Sequence, residues 1–193
     1  MLRGLYDWTM NLAGHKRAGS ALFAVSFAES SFFPIPPDVM IIPMVLADRT
    51  RAWRIAMICT IASVLGAILG YAIGALLYDS IGKPMMDFYG YGAKFETFTA
   101  HYNEWGAWIV AGAALTPFPF KVITIASGVA SLDPLTFIVS AVLARGARFY
   151  AVAALLWRFG EPIRAFIERN LSLLSIAFFA LLLSGFVLIK YAF

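Results

Sequence analysis

Side chains that bind metals or form disulfides are scarce in this sequence of 193 residues. Its single cysteine, Cys59, excludes an internal disulfide and leaves the redox compartment undetermined. Its two histidines, His15 and His101, lie outside the apolar segments, and neither CxxC nor HExxH occurs. We therefore predict no metal site, no cofactor and no histidine-based catalytic triad. We do not expect an enzyme, because Gly-x-Ser-x-Gly is absent as well.

Charge is also scarce. Only 13% of the residues are charged and 61% are hydrophobic, whereas soluble domains carry roughly 25% charged residues. With a mean hydropathy of +0.79, this composition predicts an integral membrane protein folded as one compact helical bundle. The net charge of +4 is explained by basic residues at helix ends, so we expect no nucleic-acid partner. We expect no cleavage of the signal-like stretch AGSALFAVSFAES.

The apolar runs divide the chain into segments, judged against the roughly 20 residues that a helix needs to cross a bilayer. The predicted segments are an interfacial helix (1–17), a re-entrant hairpin (18–47), a transmembrane helix (55–78), a polar connection (79–104), a second re-entrant hairpin (105–132) and two transmembrane helices (135–157 and 171–189).

Prolines interrupt both predicted hairpins. The first contains FFPIPPDVMIIP and the second TPFPF, and proline breaks or kinks a helix. Bare backbone at membrane depth is tolerated only where protein or water covers it, so each break predicts a re-entrant tip beside a polar cavity. The break residues are Pro34, Pro36, Pro37, Pro117 and Pro119.

Basic residues flank the first apolar run on both sides, with Lys16 and Arg17 before it and Arg49, Arg51 and Arg54 after it. A run that enters the membrane and returns keeps both clusters in the cytoplasm, in agreement with the positive-inside rule. We therefore predict a multi-pass membrane protein with a cytoplasmic N-terminus. The pattern Pro-x-Pro-x-charge recurs in both runs, which predicts an all-α inverted repeat of hairpin plus transmembrane helix.

Five ionisable residues lie within apolar runs: Glu29, Asp38, Lys121, Arg145 and Arg148. Each costs about 2.5–3.5 kcal/mol at mid-bilayer on insertion scales, so we expect acids to face bases or water. The acids either satisfy freed backbone groups and pair with arginine, or titrate with protons. The cations either pair internally or anchor a phosphate, and these two interpretations are compatible.

Three glycines, Gly66, Gly70 and Gly74, form GxxxGxxxG in the first predicted span. Small residues at this spacing let helix backbones approach closely. The stripe therefore predicts helix packing, either against a hairpin or between two protomers of a homo-oligomer.

The motifs FAESSFFPIPPDVMIIPMVLA, ASVLGAILGYAIGALLYDSIG, LTPFPFKVITIASGVAS and ARGARFY together resemble the DedA superfamily, also called the VTT or SNARE-associated Golgi protein domain. The likeness is to its bacterial YqaA-like branch and covers roughly residues 20–160. The resemblance implies a fold with two oppositely oriented re-entrant hairpins. It also implies that the protein moves lipids such as undecaprenyl phosphate or phosphatidylethanolamine across a bacterial inner membrane, with ion coupling.

The resemblance also assigns residues. The acidic hairpin positions of the family correspond to Glu29 and Asp38. The family commonly has two arginines around the break of its second hairpin. One of these positions corresponds to Lys121 and the upstream one to Thr116, which is uncharged. Arg145 and Arg148 are therefore expected to supply the missing positive charge. Membrane lipids are the expected partners. Two alternatives remain open: a proton-coupled transporter of small ions or solutes, and a non-transporting membrane scaffold.

Overall fold

The computed structural model of the chain describes residues 18–32, 36–82, 92–116 and 119–160, together with residues 84 and 162. The predicted interfacial helix 1–17 and the predicted terminal span 171–189 lie outside these residues, as do Pro34 and Pro117. All regular structure in the described residues is helical, which confirms the predicted all-α class.

The described residues form six α-helices. They are α1 (Ala18–Ser31), α2 (Asp38–Ala47), α3 (Ala52–Leu77), α4 (Gly92–Leu115), α5 (Phe120–Val129) and α6 (Pro134–Gly160). A short 3-10 turn, Arg49–Arg51, precedes α3, and a π-helical turn, Tyr78–Gly82, follows it.

Two of the described helical segments are long and apolar enough to cross a membrane, Arg49–Leu77 with 29 residues and Pro134–Gly160 with 27. At 1.5 Å per residue each exceeds the hydrocarbon thickness of about 30 Å. The apolar helices α2 and α5 have only 10 residues each, about 15 Å, which is half of that thickness. Prolines precede both short helices, Pro37 before α2 and Pro119 before α5.

Helix α4 begins inside the segment that polarity predicts as a connection, 79–104, and continues to Leu115. Its first half exposes polar side chains such as Glu96, His101 and Glu104 while Tyr102 is buried. Polarity keeps a segment out of lipid but does not keep it from being helical, so this helix spans part of the predicted polar connection and the start of the predicted second hairpin.

Buried apolar side chains form two clusters at opposite ends of α3 and α6. The first joins α1 and α2 to the beginning of α3 and the end of α6, with Leu22, Ile41, Cys59 and Phe149 among its members. The second joins α4 and α5 to the later part of α3 and the beginning of α6. The two long helices are therefore antiparallel, and each pair of shorter elements covers one half of them.

The glycine stripe of α3 receives a neighbouring helix at each of its ends. A Cβ atom at Gly66 would overlap the carbonyl oxygen of Phe27 in α1, and one at Gly74 would overlap that of Ile125 in α5. Gly70 lies between them against the side chain of Thr124. The stripe is thus occupied within the chain, by elements of both predicted hairpins.

The turn between α5 and α6 is tied to neighbouring helices. Tyr71 of α3 donates a hydrogen bond to the Leu132 carbonyl at 2.7 Å, and Asn103 of α4 donates to the Ala130 carbonyl at 3.1 Å. Ser131 in this turn has φ of 51°, a left-handed conformation that costs a non-glycine residue energy. These bonds hold the start of α6, and with it the register of the charged residues farther along that helix.

Candidate functional site

A buried guanidinium lies where the two apolar clusters meet. Arg145 of α6 is 1% exposed and is the largest fully buried side chain in the described part of the protein. A buried charge is tolerated when its hydrogen-bonding groups are satisfied and an opposite charge is near. The surroundings of Arg145 therefore define the candidate site.

Arg145 reaches two other helices through its nitrogen atoms. Its Nη2 forms an ion pair with Glu29 of α1 and donates to the Ser30 hydroxyl at 3.0 Å. Its Nε donates to the Ser63 hydroxyl of α3 at 2.6 Å. One side chain of α6 therefore bonds to α1 and α3 at the same time.

Aromatic rings cover the guanidinium. The Cζ atom of Arg145 lies 4.7 Å from the ring centre of Phe120 and 4.8 Å from that of Phe149. Arginine stacks favourably on aromatic faces, the more so where water is excluded. These rings add contacts from α5 and α6 to the polar contacts from α1 and α3.

Two serine hydroxyls complete the polar centre. The oxygen atoms of Ser30 and Ser63 are 2.7 Å apart, and Ser30 also donates to the Glu29 carboxylate at 3.1 Å. Thr124 of α5 donates to the Ser30 carbonyl at 3.1 Å. No buried side-chain nitrogen or oxygen atom of the described residues lacks a hydrogen-bond partner, so this centre is fully satisfied.

A second ion pair lies one turn farther along α6. Arg148 Nη2 contacts Asp38 Oδ2 at 2.5 Å, and the two side chains are 21% and 22% exposed. Asp38 is the first residue of α2, directly after the proline break. This pair is more exposed than the Arg145–Glu29 pair, whose side chains are 1% and 12% exposed.

The structure thus brings together four of the predicted charged residues, Glu29, Asp38, Arg145 and Arg148, as two acid–base pairs. Lys121 is half-buried, and among the described residues it has no ion-pair partner.

Thr116 and the prolines do not join these pairs. Thr116 is exposed, and its hydroxyl donates to the Ala113 carbonyl of its own helix at 3.2 Å. Pro36 is half-buried and Pro37 buried beside the break. Of the prolines around the second break, Pro119 is half-buried.

Sequence reasoning missed Ser30, Ser63, Phe120 and Phe149. Ser63 carried a usable signal, because it lies three residues before Gly66 and so continues the face of small residues along α3. Ser30 follows Glu29 directly, but it is one of four serines in α1, and nothing in the sequence distinguishes it. The two phenylalanines are inconspicuous in a chain with 17 of them, and only their positions beside Arg145 identify them.

The site offers no metal-binding cluster. In the described segments, no group of three or more His, Cys, Asp or Glu side chains could hold a metal ion. Cys59 is buried and accepts a hydrogen bond from Ser26 at 3.5 Å.

Comparison with known families places this geometry in context. The family model of the VTT domain matches residues 35–158, which is most of the chain. The chain belongs to the VTT-domain family. This confirms the resemblance to the DedA superfamily. The matched range contains Asp38, Ser63, Arg145 and Arg148, whereas Glu29 and Ser30 precede it.

Relatives of this VTT-domain protein occur in bacteria and archaea. An uncharacterized protein of Haemophilus influenzae is 35% identical over 186 residues, covering 96% of each chain. An uncharacterized protein of Histophilus somni is 34% identical over 171 residues, covering 89% of each, and one from Methanocaldococcus jannaschii is 29% identical over 103 residues, covering 53% of this chain and 61% of its own. No solved structure matches. Family membership together with the two span-length helices indicates a transporter-like role in a membrane.

Proposed function

We propose that this protein is a lipid translocase that moves a phosphate-containing headgroup, such as that of undecaprenyl phosphate or phosphatidylethanolamine, across a bacterial inner membrane. The observation that carries this proposal is the Arg148–Asp38 pair, a partly exposed cation held inside an apolar bundle by a competing carboxylate. A phosphate offers the same oxygen geometry to the arginine fork as a carboxylate does. An incoming headgroup therefore exchanges with Asp38.

The architecture supports a route for the headgroup. We infer that α1 and α2 form one re-entrant hairpin, and that α4 and α5 form a second one from the opposite leaflet. Two observations support this: α2 and α5 are each half as long as the membrane is thick, and the two groups cover opposite halves of α3 and α6. The headgroup passes between the tips while the acyl chains stay in lipid.

The orientation follows from the ends of the two long helices. Trp53 at the start of α3 and Trp157 near the end of α6 lie 6.1 Å apart, so these ends are on the same side. That side also carries Arg51, Arg54 and Arg158, and the positive-inside rule makes it cytoplasmic. We infer a cytoplasmic N-terminus, with α4 starting from the outer side.

The mechanism divides the two ion pairs by role. Arg148 binds the phosphate, and Lys121 provides a second cation on α5. Asp38 recaptures Arg148 after release, which keeps the empty site from retaining an uncompensated charge. Protonation of Glu29 or Asp38 weakens the attraction of that acid for its arginine, which gives a means of coupling transport to protons.

The deciding experiment reconstitutes the full-length protein in liposomes with a headgroup-labelled lipid and follows headgroup exposure on the outer leaflet. We expect faster movement than in protein-free vesicles, and a reduction of about tenfold or more in Arg148→Ala, because charge-assisted bonds contribute about 1.5–3 kcal/mol. Arg54→Ala, which removes an exposed arginine at the start of α3, is the matched control. Equal rates with and without protein contradict the proposal, and so does an Arg148→Ala rate equal to that of the control.

A proton-coupled transporter of small ions or solutes is the second candidate, because Glu29 lies in the most buried part of the site, against Arg145. It predicts a flux driven by a pH gradient that is lost in Glu29→Gln while lipid movement stays unchanged. A non-transporting scaffold predicts that neither activity exists and that both substitutions are silent. The liposome assay, run with a pH-sensitive dye in parallel, separates the three functions.

A further inference from the structure

Two serine hydroxyls join α1 to α3 at the centre of the site, and the headgroup exchange described above does not use them. Ser30 and Ser63 are both fully buried, and their oxygen atoms are 2.7 Å apart. Each also accepts a hydrogen bond from Arg145, Ser63 from Nε at 2.6 Å and Ser30 from Nη2 at 3.0 Å. They are therefore the neutral partners of the buried cation.

The bonding capacity of these hydroxyls determines which serine donates the hydrogen bond between them. A serine hydroxyl donates once and accepts at most twice. Ser30 donates to the Glu29 carboxylate at 3.1 Å and accepts from Arg145, so its remaining lone pair receives the proton of Ser63. The donors then run from Arg145 through Ser63 and Ser30 to Glu29, and bonds in such a chain strengthen one another.

The aromatic rings alone do not fix the orientation of the guanidinium. Phe120 and Phe149 contact it at 4.7 and 4.8 Å, but contacts with ring faces do not fix the directions in which its N–H groups point. Hydrogen bonds at its edges fix those directions. Ser63 holds the Nε edge from α3, while Glu29 and Ser30 hold the Nη2 edge from α1.

We propose that Ser30 and Ser63 are positioning residues, whose hydroxyl bridge fixes the Arg145 guanidinium. By fixing it, the bridge also fixes the position of the α6 segment that presents Arg148 to the phosphate. Arg148 is three residues beyond Arg145 on the same helix face, and Phe149 contacts both guanidinium groups, at 4.8 and 5.8 Å. The last step, presentation to phosphate, rests on the proposed function; the bridge itself does not.

The bridge is tested directly by NMR of the full-length protein in nanodiscs with 15N-labelled arginine. The Arg145 Nε–H signal is assigned by its loss in Arg145→Lys. In Ser63→Ala we expect this N–H to shift and to exchange with water about tenfold faster, because a bond between a hydroxyl and a charged group is lost. Ser63→Thr retains the hydroxyl and the slow exchange. An unchanged signal in Ser63→Ala overturns the proposal.

The matched control is Ser26→Ala, one turn earlier on α1. Ser26 is equally buried, but its hydroxyl contacts Cys59 rather than Arg145. We expect Ser26→Ala to keep the Arg145 signal of the unmodified protein. A shift as large as that of Ser63→Ala means that any lost hydroxyl disturbs the bundle, which also overturns the proposal.

The same variants are then compared in the liposome assay. We expect Ser63→Ala and Ser30→Ala to slow lipid movement about fivefold, Ser63→Thr to restore it and Ser26→Ala to match the unmodified protein. Full-rate movement in Ser63→Ala overturns the link to Arg148. Absence of movement in the unmodified protein contradicts the proposed function instead, and the NMR signal then still decides whether the hydroxyls hold Arg145.

Discussion

The two ion pairs of the site have the same chemistry and different surroundings. In each, an arginine of α6 meets a carboxylate from the α1–α2 region, but Arg145 and Glu29 are 1% and 12% exposed, whereas Arg148 and Asp38 are 21% and 22% exposed. Arg145 is also held by two serines and two rings. The inner pair therefore joins the helices, and we propose that the outer pair exchanges its partner.

The largest expected effect is a difference in protein stability between variants that break the inner pair and variants that break the outer pair. Arg145→Ala leaves the Glu29 carboxylate buried without its cation, and breaking a buried pair costs about 3–5 kcal/mol. Arg148→Ala breaks a partly exposed pair, which contributes about 1 kcal/mol or less. Thermal unfolding of both variants in the same detergent measures the difference, and equal losses would contradict the division into an inner and an outer pair.

The next effect concerns the packing that brings Glu29 to Arg145. Gly66→Ala places a methyl group against the Phe27 carbonyl, two residues before Glu29, and overpacking of this kind costs about 1–3 kcal/mol. Gly112→Ala is the control, because a Cβ there meets no atom within 4 Å. Unfolding midpoints should fall for Gly66→Ala and stay level or rise for Gly112→Ala. A stable Gly66→Ala variant would show that α1 can move away from α3 at little cost.

A third prediction concerns competition at the outer pair. Asp38→Asn removes the carboxylate that competes for Arg148, so we expect a lipid phosphate to bind about fivefold more tightly. This factor corresponds to the roughly 1 kcal/mol that an exposed ion pair contributes. Glu29→Gln should leave this affinity unchanged, because Arg145 is covered by rings and serines. Quenching of tryptophan fluorescence by a brominated phosphate lipid measures both. Tighter binding in Glu29→Gln alone would assign exchange to the inner pair.

The smallest effect lies outside both pairs, at the turns that begin α3 and α6. Hydrogen bonds from Thr50 lower the pKa of Asp48 below its ordinary 3.8, and those from Thr136 lower the pKa of Asp133 in the same way. Because these pKa values are lower in the folded state, the stabilisation is complete above pH 3.8 and is lost as the pH falls through the folded pKa.

The double variant Asp48→Asn, Asp133→Asn should therefore show a smaller loss of thermal stability on acidification below pH 4 than the unmodified protein. Its transport rate at neutral pH should be unchanged, which makes it a baseline for the variants at the ion pairs. Identical acid sensitivity would place the acid-labile groups elsewhere, and Glu29 and Asp38 would then be the first to test.

The predicted breaks and the predicted packing face rested on single residue types that restrict or free the backbone. Helix α2 begins directly after Pro37 and α5 directly after Pro119, where proline removes a backbone donor, whereas Pro43 lies inside α2 without ending it. Glycine at three successive turns marked the face of α3 on which other helices lie. The start of α4 escaped prediction because helix formation there depends on burying one face, including Tyr102, against α5 rather than on hydropathy.

Composition and residue pattern alone predict a membrane protein, two breaks in its apolar runs, and a meeting of acids and bases inside it. These conclusions follow from composition and from the cost of burying charge. The pairing of Arg145 with Glu29 and of Arg148 with Asp38 is visible only in the folded protein. The same is true of Ser63, Ser30 and the two phenylalanines around the inner pair. Which acid pairs with which arginine depends on how α1 and α5 pack against α3. That packing joins segments that are far apart in the chain.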